Sequence, residues 1–214
     1  MKVLIAGANG HTGRLIVERL GKSPQHEAYA MIRDAAQAET LKQLGAKEVV
    51  LADLEGDVSH AVKGMDAVIF AAGSGSQTGP DKTISVDQEG AKRLIDAAKK
   101  AGIAHFVMLS SYGAGDPDAL PNLGHYLKAQ GEADRYLIES GLTYTIVRPG
   151  YLSFEPATGK VEIAKHFDSV EGRNIPRGDV AEVLVSCLDV ENAKNKTFEL
   201  LSGEQPIQEA LKTL

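Results

Sequence analysis

The stretch Val3-Leu4-Ile5-Ala6-Gly7-Ala8-Asn9-Gly10-His11-Thr12-Gly13 decides the fold of this chain. Four apolar residues are followed at once by three glycines spaced three apart. Residues 12–20 come next, where Leu15, Ile16 and Leu20 recur at the helical period. Strand, glycine turn and helix in that order open a βα unit. One glycine permits the tight turn, a second lets the backbone approach a phosphate, and a third lets helix pack on strand. The helix start adds unpaired N–H groups and a positive dipole end, which together suit a pyrophosphate. A glycine-rich turn with no ligand is the competing reading.

The alternation continues outward. Apolar runs at 28–32, 48–52, 67–72, 105–109 and 143–147 are separated by helical patterns at 35–44, 82–100 and 126–140. A short helix is expected at 57–63, and loops at 73–80 and 110–123. Alternation through residue 150 requires a parallel sheet covered on both faces. The expected fold is α/β, a doubly wound Rossmann sheet in a single domain over 1–214. Residues 1–150 form its dinucleotide-binding core and 151–214 a short C-terminal cap. A weak strand at 161–164, a helix at 179–188, a strand at 197–201 and a terminal helix from Ile207 are expected to add one strand and cover the ligand cleft.

The 214 residues are 43% hydrophobic and 24% charged, a chain able to bury a core without staples. The net charge of −6 withholds the basic footprint that nucleic-acid binding needs. The single Cys187 excludes an internal disulfide and a cysteine metal cluster, so no metal is expected; its apolar neighbours place it in the core. The first apolar run is too short for a secretory signal, and no run approaches the ~18 residues of a membrane span. By default the chain is expected to be cytoplasmic, a monomer or small homo-oligomer acting on a small molecule.

The loop reads Gly-x-x-Gly-x-x-Gly. Together with Ala52-Asp53-Leu54, Ala71-Ala72-Gly73, Arg148-Pro149-Gly150 and the segment 175–181, it resembles the atypical and extended short-chain dehydrogenase/reductases. Within them it is similar to the NAD(P)-binding, NmrA-like and biliverdin-reductase-B-like subgroup, near the NAD-dependent epimerase/dehydratases. The resemblance covers nearly the whole chain. It implies a nicotinamide dinucleotide held by Gly7, Asn9, Gly10, His11, Thr12 and Gly13. It implies further contacts from Asp53 and Leu54 at the adenine edge, from Ala71, Ala72 and Gly73 at a ribose, and from Pro149 and Gly150 near the nicotinamide. Asp53 as a turn cap is the alternative for that position, and turn punctuation the alternative for Ala71 to Gly73.

The second strand ends Met31-Ile32-Arg33-Asp34, roughly 20 residues past the loop, where such folds meet the adenosine ribose. A guanidinium at the first position after the strand suits a 2′-phosphate through charge-assisted, bidentate bonds. NADP is therefore expected, with NAD second; a solvated Arg33 is the competing reading. Asp34 is free to pair with Arg33 or face solvent.

The resemblance also implies a Tyr-x-x-x-Lys pair and a hydroxyl at the end of the fifth strand. Tyr126, Ser110 and Ser111 match the tyrosine and the hydroxyl, but Gln130 stands where the lysine belongs. A neutral amide does not lower a phenol's pKa, and Lys128 leaves the helix on roughly the opposite face. Tyr126 then keeps its proton at neutral pH. It is able to donate in a reduction and is poorly suited to act as the base in an oxidation. Tyr112 is a second phenol nearby, His125 a candidate relay at a helix start, and Asp179 reads as a helix N-cap. Arg173 and Arg177 are candidates to meet an anionic substrate, with solvated arginines the competing reading.

The expectation is an NADPH-dependent reductase of a small or flat conjugated acceptor such as a flavin, quinone or carbonyl. A non-catalytic NADP(H) sensor is the alternative. A nucleotide-sugar epimerase or dehydratase is the weaker third reading, because it needs the full tyrosine-lysine pair and a larger substrate domain.

Overall fold

Residues 1–75, 79–120 and 122–214 are described by the structure, a computed structural model. The expected loop at 73–80 falls partly outside them. The first half of the chain follows the expected alternation. Strand β1 (Lys2–Ala6) leads into helix α1 (His11–Gly21) and strand β2 (Glu27–Ile32). A 3-10 turn (Ala35–Gln37) and helix α2 (Ala38–Gln43) precede β3 (Glu48–Leu51) and β4 (Ala67–Phe70). Helix α3 (Pro80–Lys82), π-turns over Thr83–Gln88 and helix α4 (Glu89–Ala101) form one continuous stretch before β5 (His105–Leu109). Helix α5 (Gly124–Glu139) and strand β6 (Tyr144–Pro149) follow.

The nine-stranded sheet runs β11 (Gln205–Pro206), β8 (Lys160–Ala164), β10 (Lys196–Ser202), β6, β5, β4, β1, β2, β3. The seven strands from β3 to β10 are mutually parallel. The chain moves outward from β1 to β2 and β3, then crosses back to β4 on the other side of β1. The connections therefore leave β1 and β4 in opposite directions, and a crevice opens at their carboxyl ends.

Alternation along β1 divides the interior into two cores. Val3 and Ile5 face α1 and α6 (Arg177–Ser186), packing with Ile16, Val17 and Leu20, all fully buried. Leu4 and Ala6 face the other way, with Leu94 and Ile95 of α4 and Leu137 of α5. Each fully buried Leu or Ile contributes about 1.5–3 kcal/mol, so this period-two pattern fixes which helix covers which face. Cys187 lies fully buried in the first core, as its neighbours suggested.

Four local expectations are corrected. Residues 57–63 form successive turns, not a helix. The Asp57 carboxylate takes the Ser59 amide and hydroxyl, and the segment between Gly56 and Gly64 closes on isolated i+3 bonds such as Ala61 N–H to Val58 O. The second helix begins as a 3-10 turn because Asp34 accepts from the Ala36 amide, which also settles Asp34 as a cap. Helix α5 starts at Gly124, before Tyr126, so Lys128 stays exposed. Asp179 is not an N-cap: α6 (Arg177–Ser186) starts two residues earlier, and the Asp179 carboxylate instead accepts from the Thr158 and Gly159 amides.

The tail contributes more to the sheet than one strand. Strand β10 (Lys196–Ser202) pairs parallel to β6, and β8 (Lys160–Ala164) pairs antiparallel to β10. Strand β11 (Gln205–Pro206) extends the edge, and α7 (Ile207–Leu211) closes over it. Strands β7 (Tyr151–Ser153) and β9 (Asn174–Pro176) form a separate parallel pair. The cause is a run buried on both faces: Phe198, Leu200 and Leu201 of β10 are almost wholly buried. Among the described residues no helix is long and apolar enough to cross a membrane.

Candidate functional site

The glycine loop occupies the crevice between β1 and β4. Gly7 adopts φ +81°, and a Cβ there would lie 2.5 Å from Ala72 Cα and 2.6 Å from Ala71 O. A Cβ on Gly13 would lie 2.0 Å from Gly7 O. These two glycines let the β4 exit and the α1 helix close on the loop. Gly10 is less crowded, at 3.3 Å from the same oxygen, and it caps α1 with no side-chain bond. The first amides of α1 thus receive no side-chain acceptor at the cap. Asn9 Oδ1 accepts from both Nε and Nη2 of Arg14, at 3.1 and 2.7 Å.

A cavity of about 400 Å³ opens on this loop. Gly7, Asn9 and Gly10 form its floor. Arg33 stands exposed at one end, directly after β2, with Asp53 and Leu54 beside it. Ala71, Ala72 and Gly73 form the wall from β4. Asp53 lines the cavity, and its Oδ1 accepts from the Glu55 amide, the turn-capping role. Five expected contacts lie off this cavity. Thr12 and Gly13 are buried at the start of α1, and His11 faces a second groove, edge-on to Phe154 at 4.9 Å. Pro149 and Gly150 sit at the carboxyl end of β6, where Pro149 O accepts from the Tyr112 amide and the Gly150 amide donates to Leu200 O.

The cavity also includes Met31, Gln37, Ser74, Lys82 and Val86, none singled out from the sequence. Met31 was legible as the last-but-one residue of a strand that must end at the crevice. Lys82 carried no signal, because nothing in its neighbours says which way α3 faces.

The two serines after β5 diverge. Ser110 is buried, and its hydroxyl donates to Asp134 Oδ2 at 2.8 Å. Arg148 Nε and Nη2 reach the same oxygen, each at 2.9 Å. Burial raises the Asp134 carboxyl to about 6 although Arg148 and Ser110 oppose the rise. Ser111 instead lies beside Tyr126, and its hydroxyl donates to Tyr112 O at 3.1 Å. Tyr112 is buried and donates to Phe167 O, a bracing role.

The surroundings of Tyr126 carry negative charge. Burial of its hydroxyl pushes the phenol above its ordinary pKa; the Asp87 and Asp134 carboxylates add to this and Ser111 opposes it. Gln130 sits one turn further along α5, buried, and its amide donates to Asp87 Oδ1 at 3.4 Å. Asp87 Oδ2 accepts from the Ser74 amide at 2.9 Å. Burial raises the Asp87 carboxyl too, against the Ser74 bonds. His125 is exposed. Arg173 pairs with Glu162, whereas Arg177 stacks on the ring of Phe154 at 4.0 Å. Among the described residues no group of three or more His, Cys, Asp or Glu is placed to hold a metal ion.

Comparison with known proteins matches residues 7–191 to a family described as NAD(P)H-binding. The uncharacterized sugar epimerase YhfK of Bacillus subtilis is 45% identical, with 100% of both chains covered. Sanguinarine reductase of Eschscholzia californica is 32% identical over 99% of this chain and 93% of its own. A solved structure from Bacillus halodurans, classed provisionally as an NAD-dependent epimerase/dehydratase, superposes with a TM-score of 0.96. It is 47% identical, with both chains covered in full.

Proposed function

This chain belongs to the NAD(P)H-binding oxidoreductase family, and on that premise we propose that it is an NADPH-dependent reductase of a small or flat conjugated acceptor. The cradle fits the cofactor: Gly7, Asn9 and Gly10 line the cavity, and α1 starts from its cap Gly10 with no side-chain acceptor on its first amides, a place a pyrophosphate can take. Gly7, Asn9, Gly10 and the α1 amides hold the pyrophosphate, with His11, Thr12 and Gly13 shaping that helix start. Asp53 and Leu54 meet the adenine edge. Ala71 to Gly73 pack on a ribose, and Pro149 and Gly150 flank the nicotinamide. Arg33 takes the 2′-phosphate, which favours NADP over NAD.

When bound, the dinucleotide supplies hydride. The chain supplies the rest. Ser111 orients the acceptor, and Tyr126 keeps its proton until it gives it to the acceptor oxygen on which negative charge develops. The observation that carries this direction is the Tyr126 hydroxyl, enclosed and faced by Asp87 and Asp134. A phenol so placed stays protonated at neutral pH, the form that a reduction requires and an alcohol oxidation does not. For flavin or quinone acceptors solvent is able to supply the proton, and Tyr126 then only lines the site. That a relative of nearly full length is named a reductase supports the same reading. The epimerase reading requires a phenolate base, which this charge arrangement opposes.

One observation favours a second reading. Gln130 bonds to Asp87 in place of a cation, which suits a dinucleotide sensor that turns nothing over. The test saturates the chain with NADPH and follows loss of reduced-nicotinamide absorbance across flavin, quinone and carbonyl acceptors. Turnover is expected with at least one class. Tight binding without turnover would sink the reductase reading and leave the sensor. With a carbonyl acceptor, Tyr126→Phe is expected to lower kcat; an unchanged rate would remove Tyr126 as proton donor.

A further inference from the structure

An ion pair joins a residue of the cavity lining to the loop after β3. Lys82 Nζ lies 2.9 Å from Glu55 Oε1 and 2.7 Å from Glu55 Oε2. Lys82 closes α3 on the β4 side of the crevice, and Glu55 follows Leu54 on the β3 side. The pair therefore links the two loops. Lys82 and Arg33 both line the cavity. Both draw on the same carboxylate: Lys82 most strongly, then the nearby Ser85, hold Glu55 below its ordinary pKa, and Arg33 adds to the effect.

Resting on the dinucleotide reading above, we propose that Lys82 is a second recognition residue for the cofactor's 2′-phosphate, and that the Glu55 carboxylate occupies the phosphate's place between Lys82 and Arg33 until the ligand displaces it. Lys82 holds the carboxylate directly, and Arg33, which lines the same cavity, acts on it at longer range. A carboxylate has two oxygens and one charge; a phosphate monoester has three oxygens and up to two charges. It accepts a fork from Arg33 and a point charge from Lys82 together. Both partners of the bridge are partly exposed, at 50% and 32% of their side chains. Such a pair is weakly held in water and readily exchanged for a stronger anion. Breaking the bridge on entry and remaking it through the ligand ties the β3 and α3 loops over the adenosine end.

The test measures dissociation constants of NADPH and NADH by calorimetry on the full chain. Wild type, Lys82→Met, Lys82→Arg and Glu55→Gln are compared, with folding checked by circular dichroism. Lys82→Met is expected to weaken NADPH about tenfold, as loss of one charge-assisted bond does, and NADH by less than about twofold. Lys82→Arg is expected to restore most of the loss. Glu55→Gln is expected to tighten NADPH and leave NADH unchanged, because the competing anion is gone. Equal loss for both dinucleotides in Lys82→Met, or weaker NADPH binding in Glu55→Gln, would overturn the proposal while leaving the dinucleotide reading intact. Wild type that binds NADPH no better than NADH would overturn both this proposal and the NADP preference. Wild type that binds neither would bring down the dinucleotide reading itself.

Discussion

Gln130 of α5 donates its side-chain amide to Asp87 of the π-turns at 3.4 Å, so a neutral donor and a buried carboxylate stand together beneath Tyr126. The position that would hold a cation in the tyrosine-lysine arrangement is thereby part of a negative environment. Reversing that sign is the most direct test of the reductive assignment.

Gln130→Lys places a cation between Asp87 and Tyr126. The ammonium finds a carboxylate at hand, which limits the burial penalty. The phenol's pKa is expected to fall, and NADP-dependent alcohol oxidation to rise at alkaline pH. The pH profile of oxidation is the readout. A profile identical to wild type would show that charge at this position does not govern Tyr126.

Ser110 and Ser111 are adjacent in sequence and are expected to separate by experiment. Ser110→Ala removes a donor from the buried Asp134 oxygen and is expected to lower stability by about 1–2 kcal/mol, with dinucleotide affinity unchanged. Ser111→Ala is expected to leave the melting temperature near wild type while raising KM for the acceptor. Thermal melts and steady-state kinetics decide; equal effects from both would dismiss the division of roles.

The glycines of the loop are expected to differ in tolerance. Gly13→Ala brings a methyl carbon against Gly7 O, and overpacking of this kind costs about 1–3 kcal/mol or more. Gly7→Ala adds a positive φ to a comparable clash. Gly10→Ala is expected to fold with little loss and to weaken dinucleotide binding by blocking the phosphate's approach. Chemical denaturation alongside calorimetry separates the two kinds of damage.

Two buried groups set opposing pH dependences. Asp134 has its carboxyl raised from 3.8 to about 6, so the folded state binds more protons than the unfolded state between those values. Its contribution to stability is full below about 4 and is lost as pH rises to about 6. His105 is lowered by burial from 6.5 to about 4, so its contribution is present above 6.5 and is lost as pH falls to about 4. Each slope is at most about 1.4 kcal/mol per pH unit, and the two have opposite sign, so they partly cancel in wild type. Asp134→Asn is expected to leave stability rising with pH across that window. A falling curve in the variant would contradict the assignment.

The fold was legible where one residue pattern has one solution. Val3 to Gly13 specifies strand, turn and helix, and the buried runs at β4 and β5 demand a parallel sheet. The cavity's floor and walls followed, because Gly7, Arg33, Asp53 and Ala71 all lie at strand ends that converge on one crevice. Long-range partners were not legible. Sequence spacing puts Gln130 one turn beyond Tyr126 but does not reveal that Asp87 waits across from it. It likewise conceals that Asp179 reaches back to Thr158, and that Ser110 and Ser111 point in different directions. The tail was underestimated because the burial of Phe198 and Leu200 depends on β6 and β8 lying on either side, a relationship absent from local periodicity.

That placement of β10 has a consequence for biosynthesis. β10 sits inside the sheet, parallel to β6 on one side and antiparallel to β8 on the other. On a ribosome, β6 and β8 emerge first and remain two unpaired borders until Lys196 to Ser202 has left the exit tunnel. A nascent chain halted before that point offers open backbone to its neighbours, so the polypeptide is safe from self-association only once β10 has joined the sheet.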